Sequence, residues 1–418
     1  MRILMLKDYY YPEQCAGISL AQDLINEFCN NNHYVEVFTP IPCRGITSDI
    51  RAKYRHKKIE CHDNAVIHRY WLPYEKSGIL ARALRYFLQN IIQVWKGLCC
   101  SYDVILLGST PPTMGLVGTI LKKIKRKPFV YNLQDIFPDS LVTGNITNKG
   151  SLIWKIGSII EKISYKNADH IIVISESFKQ NLLNKGVPTE KITVVSNWID
   201  IDRIHPIEKK DNKLYNEFSI SKDKFLVVYA GNFGAAQGAD IILKAANQLK
   251  KYDDIQFVIF GGGAEYAAAK KMVVDYELSN VIIHDLLPGD RVSEVYSLGD
   301  IALITCKKGV GKAGMPSKTW SIMACNTPIV ASFDTGSELD LIVSDANAGI
   351  CIEPENPDKL SKTILECKEK SNRNMSTGRQ YVINCASKET CVDKYIDILE
   401  GQIRKAKTKR EKMQKDSS

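Results

Sequence analysis

A lysine stands directly behind a serine at 317–318, within "GMPSKTWSIMACNTPIVAS" (314–332), and this pair could do chemistry. Pro316 restricts the chain entering the helix that the stretch predicts, and Ser317 is its expected N-cap. Lys318 then falls in the first turn, at the positive end of the helix dipole, where a cation is disfavoured. The placement makes sense if an anion sits between the lysine and the helix N-terminus. Lys312 is a second cation nearby. Other loops carry residues suited to a ligand. "AGNFGAAQG" (230–238) sets Gly231, Asn232, Gly234 and Gln237 behind an apolar run. Its glycines allow tight turns and close backbone approach. "FGGGAE" (260–265) repeats the arrangement with Gly261, Gly262 and Gly263, whose bare backbone suits a base or a ribose. "YPEQCAGIS" (11–19) brings Gly17 and Ser19 to the opening of a helix, and "VYNLQDIFPDSL" (130–141) ends an apolar run on Gln134 and Asp135. Asp135 either orients a substrate or caps the next helix. Glu338, in "DTGSELDLI" (334–342), is either a ligand contact or an acid favoured by its helix dipole.

Several familiar spellings fail on context. "GVGK" (309–312) is followed by Ala313, and Cys306 stands where a P-loop needs its first glycine. Asp200-Ile201-Asp202 spells a metal-nucleotide motif, but it lies between domains rather than at an internal strand end. Asn145-Ile146-Thr147 has the glycosylation spelling, which carries no meaning in a cytosolic chain. The seven histidines form no cluster, so no metal is expected.

Apolar strand runs and helical patterns alternate along the chain. Strands are expected at 2–8, 34–40, 65–73, 103–109, 129–135, 170–175 and 192–198, then at 225–231, 255–262, 281–286, 300–306 and 328–333. Helical patterns include 18–31, 151–167, 238–252 and 290–299. Near-continuous Val/Ile strands between helices predict parallel sheets covered on both faces. The polar stretch 199–217 lacks periodicity and reads as a linker. The expected class is α/β, with two doubly wound, Rossmann-like domains, 1–200 and 201–380. Residues 381–418 are expected to form a C-terminal helix, which could pack back on the first domain, and a basic tail. Ligands of such sheets bind beyond the carboxyl ends of the strands, and two facing sheets would put those ends across one central cleft.

Length and composition agree with two domains. The chain has 418 residues, 44% of them hydrophobic, and a net charge of +9. It opens on a short strand rather than a secretory leader, and no run approaches the roughly 20 apolar residues of a spanning helix. Twelve scattered cysteines without CxxC spacing read as reduced thiols, which points to the cytosol. The tail 404–418 holds seven Lys/Arg against two acids and reads as a solvated terminus or a weak lipid contact. No stacking-aromatic module, helix-turn-helix or zinc finger accompanies the charge, so nucleic acid is not an expected partner.

Taken in order, these loops resemble the retaining glycosyltransferases of family 4, which have the GT-B fold. The resemblance covers nearly the whole chain. Its strongest piece is "VISESFKQNLLNKGVPTEKITVVSNWIDIDRIHP" (173–206), similar to that family's interdomain signature. "GNFGAAQG", "FGGG" and "MACNTPIVAS" resemble its donor-domain blocks. Two departures matter. Most members hold the donor with an Arg and a Lys in the first loop of the second domain, where Asn232 and Gln237 stand here. Most also carry a Glu-x7-Glu motif, which in this register falls on Ala313 and Ser321. The "GNFGAAQG" and "PSK" blocks instead look like a subgroup from O-antigen and capsule clusters, similar to fucosamine transferases.

The resemblance implies a nucleotide-sugar donor, UDP-linked, and no cofactor. It implies an N-acetylated aminosugar moved to a polyprenyl-diphosphate-linked glycan, without a catalytic metal. Lys318, helped by Ser317, would replace the missing cations on the departing diphosphate. Gly231, Asn232, Gly234, the three glycines at 261–263 and Glu338 would complete the donor site. The resemblance makes 201–380 the donor-binding domain and 1–200 the acceptor-binding one, where Gly17, Ser19 and Asp135 would face the acceptor and Asp135 would serve catalysis by orienting the sugar or assisting the acceptor hydroxyl. The basic, apolar stretches 79–98 and 121–127 are either core helices with solvated lysines or contacts with the inner membrane. Two rivals share the expected fold: an epimerase acting on UDP-N-acetylglucosamine, and a non-catalytic sugar-nucleotide-binding partner.

Overall fold

The structure, a computed structural model, describes residues 1–415 apart from 14, 16, 76–77, 144–146, 312–314 and 371–376. Lys312, Ala313 and the Asn145-Ile146 pair therefore lie outside the described residues. The chain forms two compact units, one of residues 1–197 with 391–418, the other of residues 198–390.

The first unit is built on β1 (Arg2–Leu6), β2 (Tyr34–Pro40), β3 (Ile59–His62), β4 (Ala65–Tyr70), β5 (Val104–Gly108), β6 (Phe129–Leu133), β7 (His170–Val173) and β8 (Ile192–Val194). Their order is β3-β4-β2-β1-β5-β6-β7-β8, parallel throughout except where β3 runs against β4. The helices are α1 (Ile18–Asn30), α2 (Ser48–His56), α3 (Ile79–Cys99), α4 (Met114–Lys125), α5 (Asp139–Thr143), α6 (Leu152–Asn167) and α7 (Glu176–Asn184). Fully buried Ile3, Val104, Ile105, Phe129 and Ile171 show why these runs read as unbroken hydrophobics: both sheet faces are covered. β3 escaped the sequence reading because "IECH" is short and its side chains are largely exposed, as an antiparallel edge allows.

The second unit holds β9 (Phe225–Asn232), β10 (Ile255–Gly262), β11 (Val281–Asp285), β12 (Ile301–Thr305), β13 (Ile329–Ser332) and β14 (Gly349–Ile352), all parallel in the order β11-β10-β9-β12-β13-β14. Its helices are α8 (Leu214–Glu217), α9 (Asp240–Gln248), α10 (Tyr266–Asp275), α11 (Val292–Leu298), α12 (Lys318–Ala324), α13 (Glu338–Asp345), α14 (Pro357–Lys370) and α15 (Gly378–Cys385). The strand order reverses between β9 and β12, which is where an open α/β sheet binds ligands. α16 (Lys388–Lys415) begins at the end of this unit and, from Cys391, belongs to the first. Its Tyr395 and Leu399 are buried.

The stretch 199–217 is a correction to the sequence reading. It is not a free linker. Ile199, Ile201 and Ile204 pack on the core of the second unit, and Leu214 and Tyr215 are buried in it. These apolar residues are spaced for an irregular chain lying across a surface, which has no helical or strand period to detect.

Candidate functional site

The site begins with a ladder. β9 and β10 pair in a register that sets Gly231 opposite Gly261 and Asn232 opposite Gly262. The two glycine-rich loops, thirty residues apart in sequence, are thereby neighbours at the carboxyl edge of one sheet. Their glycines serve different needs. A Cβ on Gly231 would lie 2.9 Å from Nζ of Lys318, so this position must stay bare for the lysine to pass. A Cβ on Gly261 would meet the rings of Tyr266 and Phe233 at 2.6 and 2.8 Å. One on Gly263 would fall 1.9 Å from Oδ1 of Asn232 and 2.9 Å from the carbonyl of Phe233. Gly261 and Gly263 are thus bare because the protein's own side chains and backbone fill the space.

Lys318 opens α12 but does not point along it. Its ammonium lies 4.0 Å from the centroid of the Tyr229 ring and donates to the carbonyl of Ala230 at 3.2 Å. The residue as a whole is only partly buried, but its ammonium is shut in, and among the described residues that burial alone pulls its pKa down to about 7. Ser317 corrects the expected cap: it is helical in conformation, and its hydroxyl makes no capping hydrogen bond. That hydroxyl is exposed and free to meet a ligand.

Both residues line a cavity of about 570 Å³. One wall is polar, made by Gly231, Asn232, Gln237, Ser317 and Lys318. The other is apolar, with Phe260, Leu287, Pro288 and Val292. Asn232 donates to Oε1 of Gln237 at 3.1 Å, which ties the ends of the first glycine loop together. Among the described residues lining the cavity, Lys318 is the one Lys, Arg, Asp or Glu. A weakly protonated lysine with no carboxylate to answer it is prepared for an anion that arrives with a ligand.

The remaining predicted residues lie elsewhere. Gly234, Gly261, Gly262, Gly263 and Glu338 are not among the residues lining this cavity. Gly262 stands behind it, against Leu286. Glu338 is the first residue of α13, beyond the Ser337 cap, and its charge raises the pKa of Tyr381 after burial, Cys385 and Asp345 have done so. In the first unit, Gly17 adopts a left-handed φ of 80° as it opens α1, and Ser19, the second residue of that helix, is exposed. Asp135 is exposed and accepts from the Ser140 hydroxyl at 3.0 Å, while its own N–H donates to Oγ of Ser109. Asp200 accepts from the N–H groups of Asp202 and Arg203 and pairs with Lys388 at 3.5 Å, so its carboxylate organises a turn. Among the described residues no group of three His, Cys, Asp or Glu is placed to hold a metal.

Two carboxylates escaped the sequence reading. Asp334, just past β13, accepts from the N–H groups of Gly309 and Gly311 at 2.9 and 2.8 Å and fixes the loop ahead of Pro316. Glu13 is buried and accepts from the N–H groups of Tyr10, Cys43 and Arg44, which fixes the loop before α1. Asp334 sits two residues and Glu13 seven residues beyond a strand end, which was the available signal. The aromatic floor under Lys318 was also missed, because Tyr229 looks like any other inward strand residue.

Comparison with known proteins bears on both units. The family described as Glycosyltransferase Family 4 matches residues 19–203, and the family described as Glycosyl transferases group 1 matches residues 211–382. The probable glycosyltransferase WbjE of Pseudomonas aeruginosa is 27% identical over 63% of this chain and 66% of its own length, just under two thirds of that relative. The capsular polysaccharide biosynthesis glycosyltransferase CapM of Staphylococcus aureus is 22% identical over 67% of this chain and 71% of its own. Among solved structures, Anabaena HepE in complex with UDP superposes with a TM-score of 0.70 over 96% of this chain and 100% of that one, at 16% identity. That last likeness is one of fold.

Proposed function

Because this chain is a glycosyltransferase, with a Family 4 domain followed by a group 1 domain on the GT-B fold, we propose that it moves an N-acetylated aminosugar from UDP to a polyprenyl-diphosphate-linked glycan. The setting is the assembly of a bacterial capsule or O-antigen polysaccharide, at the inner face of the membrane. The observation that carries the reading is the cavity at the carboxyl ends of β9 and β12, where Lys318 is the one charged side chain among the described lining residues. The apolar wall of Phe260, Leu287 and Pro288 suits a nucleobase, and the polar wall suits a diphosphate.

In this reading the sugar's anomeric carbon breaks its bond to the diphosphate oxygen as the acceptor hydroxyl bonds to the same face, so configuration is retained. The leaving phosphate accepts the acceptor's proton. Negative charge grows on the diphosphate during that step, and a preorganised cation there lowers the barrier. Lys318 takes this role, and Ser317 and the backbone around Gly231 supply hydrogen bonds. A cavity lined by a lysine rather than by carboxylates suits a diphosphate that is not delivered on a metal. Asp135, Gly17 and Ser19 are assigned to the acceptor side.

The test is thermal stabilisation followed by transfer. UDP raises the melting temperature more than GDP does, and EDTA leaves that rise intact. Transfer from a UDP-aminosugar to a lipid-linked acceptor, with configuration read by NMR, completes the assignment. A melting temperature unmoved by every nucleotide overturns it.

A further inference from the structure

The first unit carries an apolar surface that no described residue covers. α4 packs between α3 and α6. A Cβ on Gly97 of α3 would lie 2.7 Å from Leu121, and one on Gly115 of α4 would lie 2.1 Å from Ser164 of α6. Each helix turns a stripe away from the sheet. Leu84, Phe87 and Trp95 on α3, Ile124 on α4, and Leu152 and Ile159 on α6 are each more than half exposed. Single exposed apolar residues need no explanation, but stripes on three adjoining helices mark an interaction surface.

The charge around these stripes is one-sided. The three helices hold nine Lys or Arg, three on each, and one acid, Glu161. Glu161 is already paired with Lys185 at 2.5 Å. Beside α6 runs a groove of about 770 Å³ that reaches the end of α7. Trp154 lines it with Lys149, Lys162, Lys166 and Lys191; the two carboxylates among its described lining residues, Asp139 and Glu161, both pair with Lys185, and Lys149 also acts on Asp139 through its charge.

We propose that this face docks on an anionic bilayer, with the stripes of α3, α4 and α6 entering the interfacial layer and the groove beside α6 seating lipid phosphate headgroups. The inference deepens the membrane part of the proposed function and rests on it, but it does not depend on the transfer chemistry. The sequence points to 79–98, 121–127 and the basic tail 404–418; α6 and its groove come from the structure. Lysines beside an apolar stripe can lay their stems along it and keep the ammonium at headgroup level. A second copy of the chain is a poor occupant, because a symmetric pair through this face would bring two cationic surfaces together.

The test is flotation of the full chain on vesicles of phosphatidylglycerol and phosphatidylcholine in equal parts, against phosphatidylcholine alone. The protein floats with the anionic vesicles and much less with the neutral ones. Lys162→Gln with Lys166→Gln weakens the anionic binding on the order of 30-fold, as loss of two near-surface lysines should. Ile156→Glu, at another exposed apolar position of α6, combined with Ile159→Glu abolishes it. The UDP-induced rise in melting temperature is unchanged in both variants, which shows that they are folded. Should the glutamate pair lose that rise, the glutamine pair decides. Failure of the wild type to float, or both variants floating like the wild type, overturns the proposal. So does a dimer that the glutamate pair dissociates while vesicles remain unbound. Loss of the UDP response in a wild type that still floats strikes the transfer reading and leaves the docking surface standing.

Discussion

Asp8 and Lys318 are two buried charges with one apparent pKa and different circumstances. Asp8 follows β1 by two residues in the first unit, and burial pushes its carboxyl up to about 7. Lys318 reaches the end of β9 in the second, and burial pulls its ammonium down to about 7. Around Asp8 the protein supplies its own compromise. Lys7 and two backbone N–H groups favour the carboxylate, Glu13 opposes it, and Oδ2 has no hydrogen-bond partner among the described residues. Around Lys318 burial is the cause, and no neighbouring charge among the described residues argues either way. The lysine also opens on a cavity. A displaced pKa alone does not mark a site. A displaced pKa whose missing counter-charge must enter from outside does.

The largest expected effect breaks the comparison at Lys318. Lys318→Ala lowers kcat on the order of 10²-fold, more than it raises KM for the donor, as for a removed transition-state donor. Lys318→Arg restores part of the rate, because a planar fork differs in reach from an ammonium. The apo melting temperature stays level or rises, since a buried, unanswered cation is lost. Near-wild-type turnover in the alanine variant would make the lysine no more of a site than Asp8.

A smaller effect sharpens the comparison through pH. UDP-N-acetylglucosamine has no phosphate ionisation near neutrality, so the lysine's proton dominates the linkage. Bound diphosphate favours the ammonium, and binding takes up a proton once the pH passes about 7. Affinity then falls by up to about tenfold for each pH unit above that point. Calorimetry in buffers of different ionisation enthalpy reads the proton uptake directly. In Lys318→Met both the slope and the uptake disappear; their persistence would assign them to another group.

The smallest effect concerns stability. Asp8 holds its proton in the folded state up to about 7 but loses it near 4 when unfolded. The folded state therefore binds more protons in that window, and stability falls as pH rises from about 4 to 7. Lys318 acts over the next window with the opposite sign. Its folded value lies below its unfolded one, so stability rises between about 7 and 10.5. Asp8→Asn flattens the first slope and raises the melting temperature above pH 7, by roughly 2–4 °C for each kcal/mol recovered. It leaves donor KM unchanged. Thermal scans across pH that show no difference between Asp8→Asn and wild type would remove the burial account.

Most of the architecture could be read from the chain, because strands buried on both faces write long Val/Ile runs. The spans 34–40 and 255–262 agree with β2 and β10 residue for residue. The losses are physical. β3 is exposed at an edge, and β14 is four residues long, behind a glycine that has no room for a Cβ beside Ile329. "ITVVSNW" leaves the sheet after Val194, since sheet membership needs a partner strand as well as apolar side chains. At the site, Gly231, Asn232, Ser317 and Lys318 could be named from loop spelling, because close approach demands those residue types. Their grouping could not, since it depends on the β9–β10 register. The floor of Tyr229 and the apolar wall from Phe260 to Val292 also stayed hidden, because residues of that kind serve a core equally well.

The path of the chain through α16 governs when the first unit can be finished. Tyr395 and Leu399 are buried in that unit's core, and Tyr395 is hydrogen-bonded to Asn132. The whole of the second unit, residues 198–390, is synthesised between the strands of the first sheet and these two residues. During translation the second unit can close as soon as its own sequence has left the ribosome. The first waits, with the surface that Tyr395 and Leu399 will cover still open to water. Domains commonly fold in the order of their synthesis; here the domain that is started first is completed last. A chain stopped before 391 is therefore an unfinished first domain joined to a finished second one.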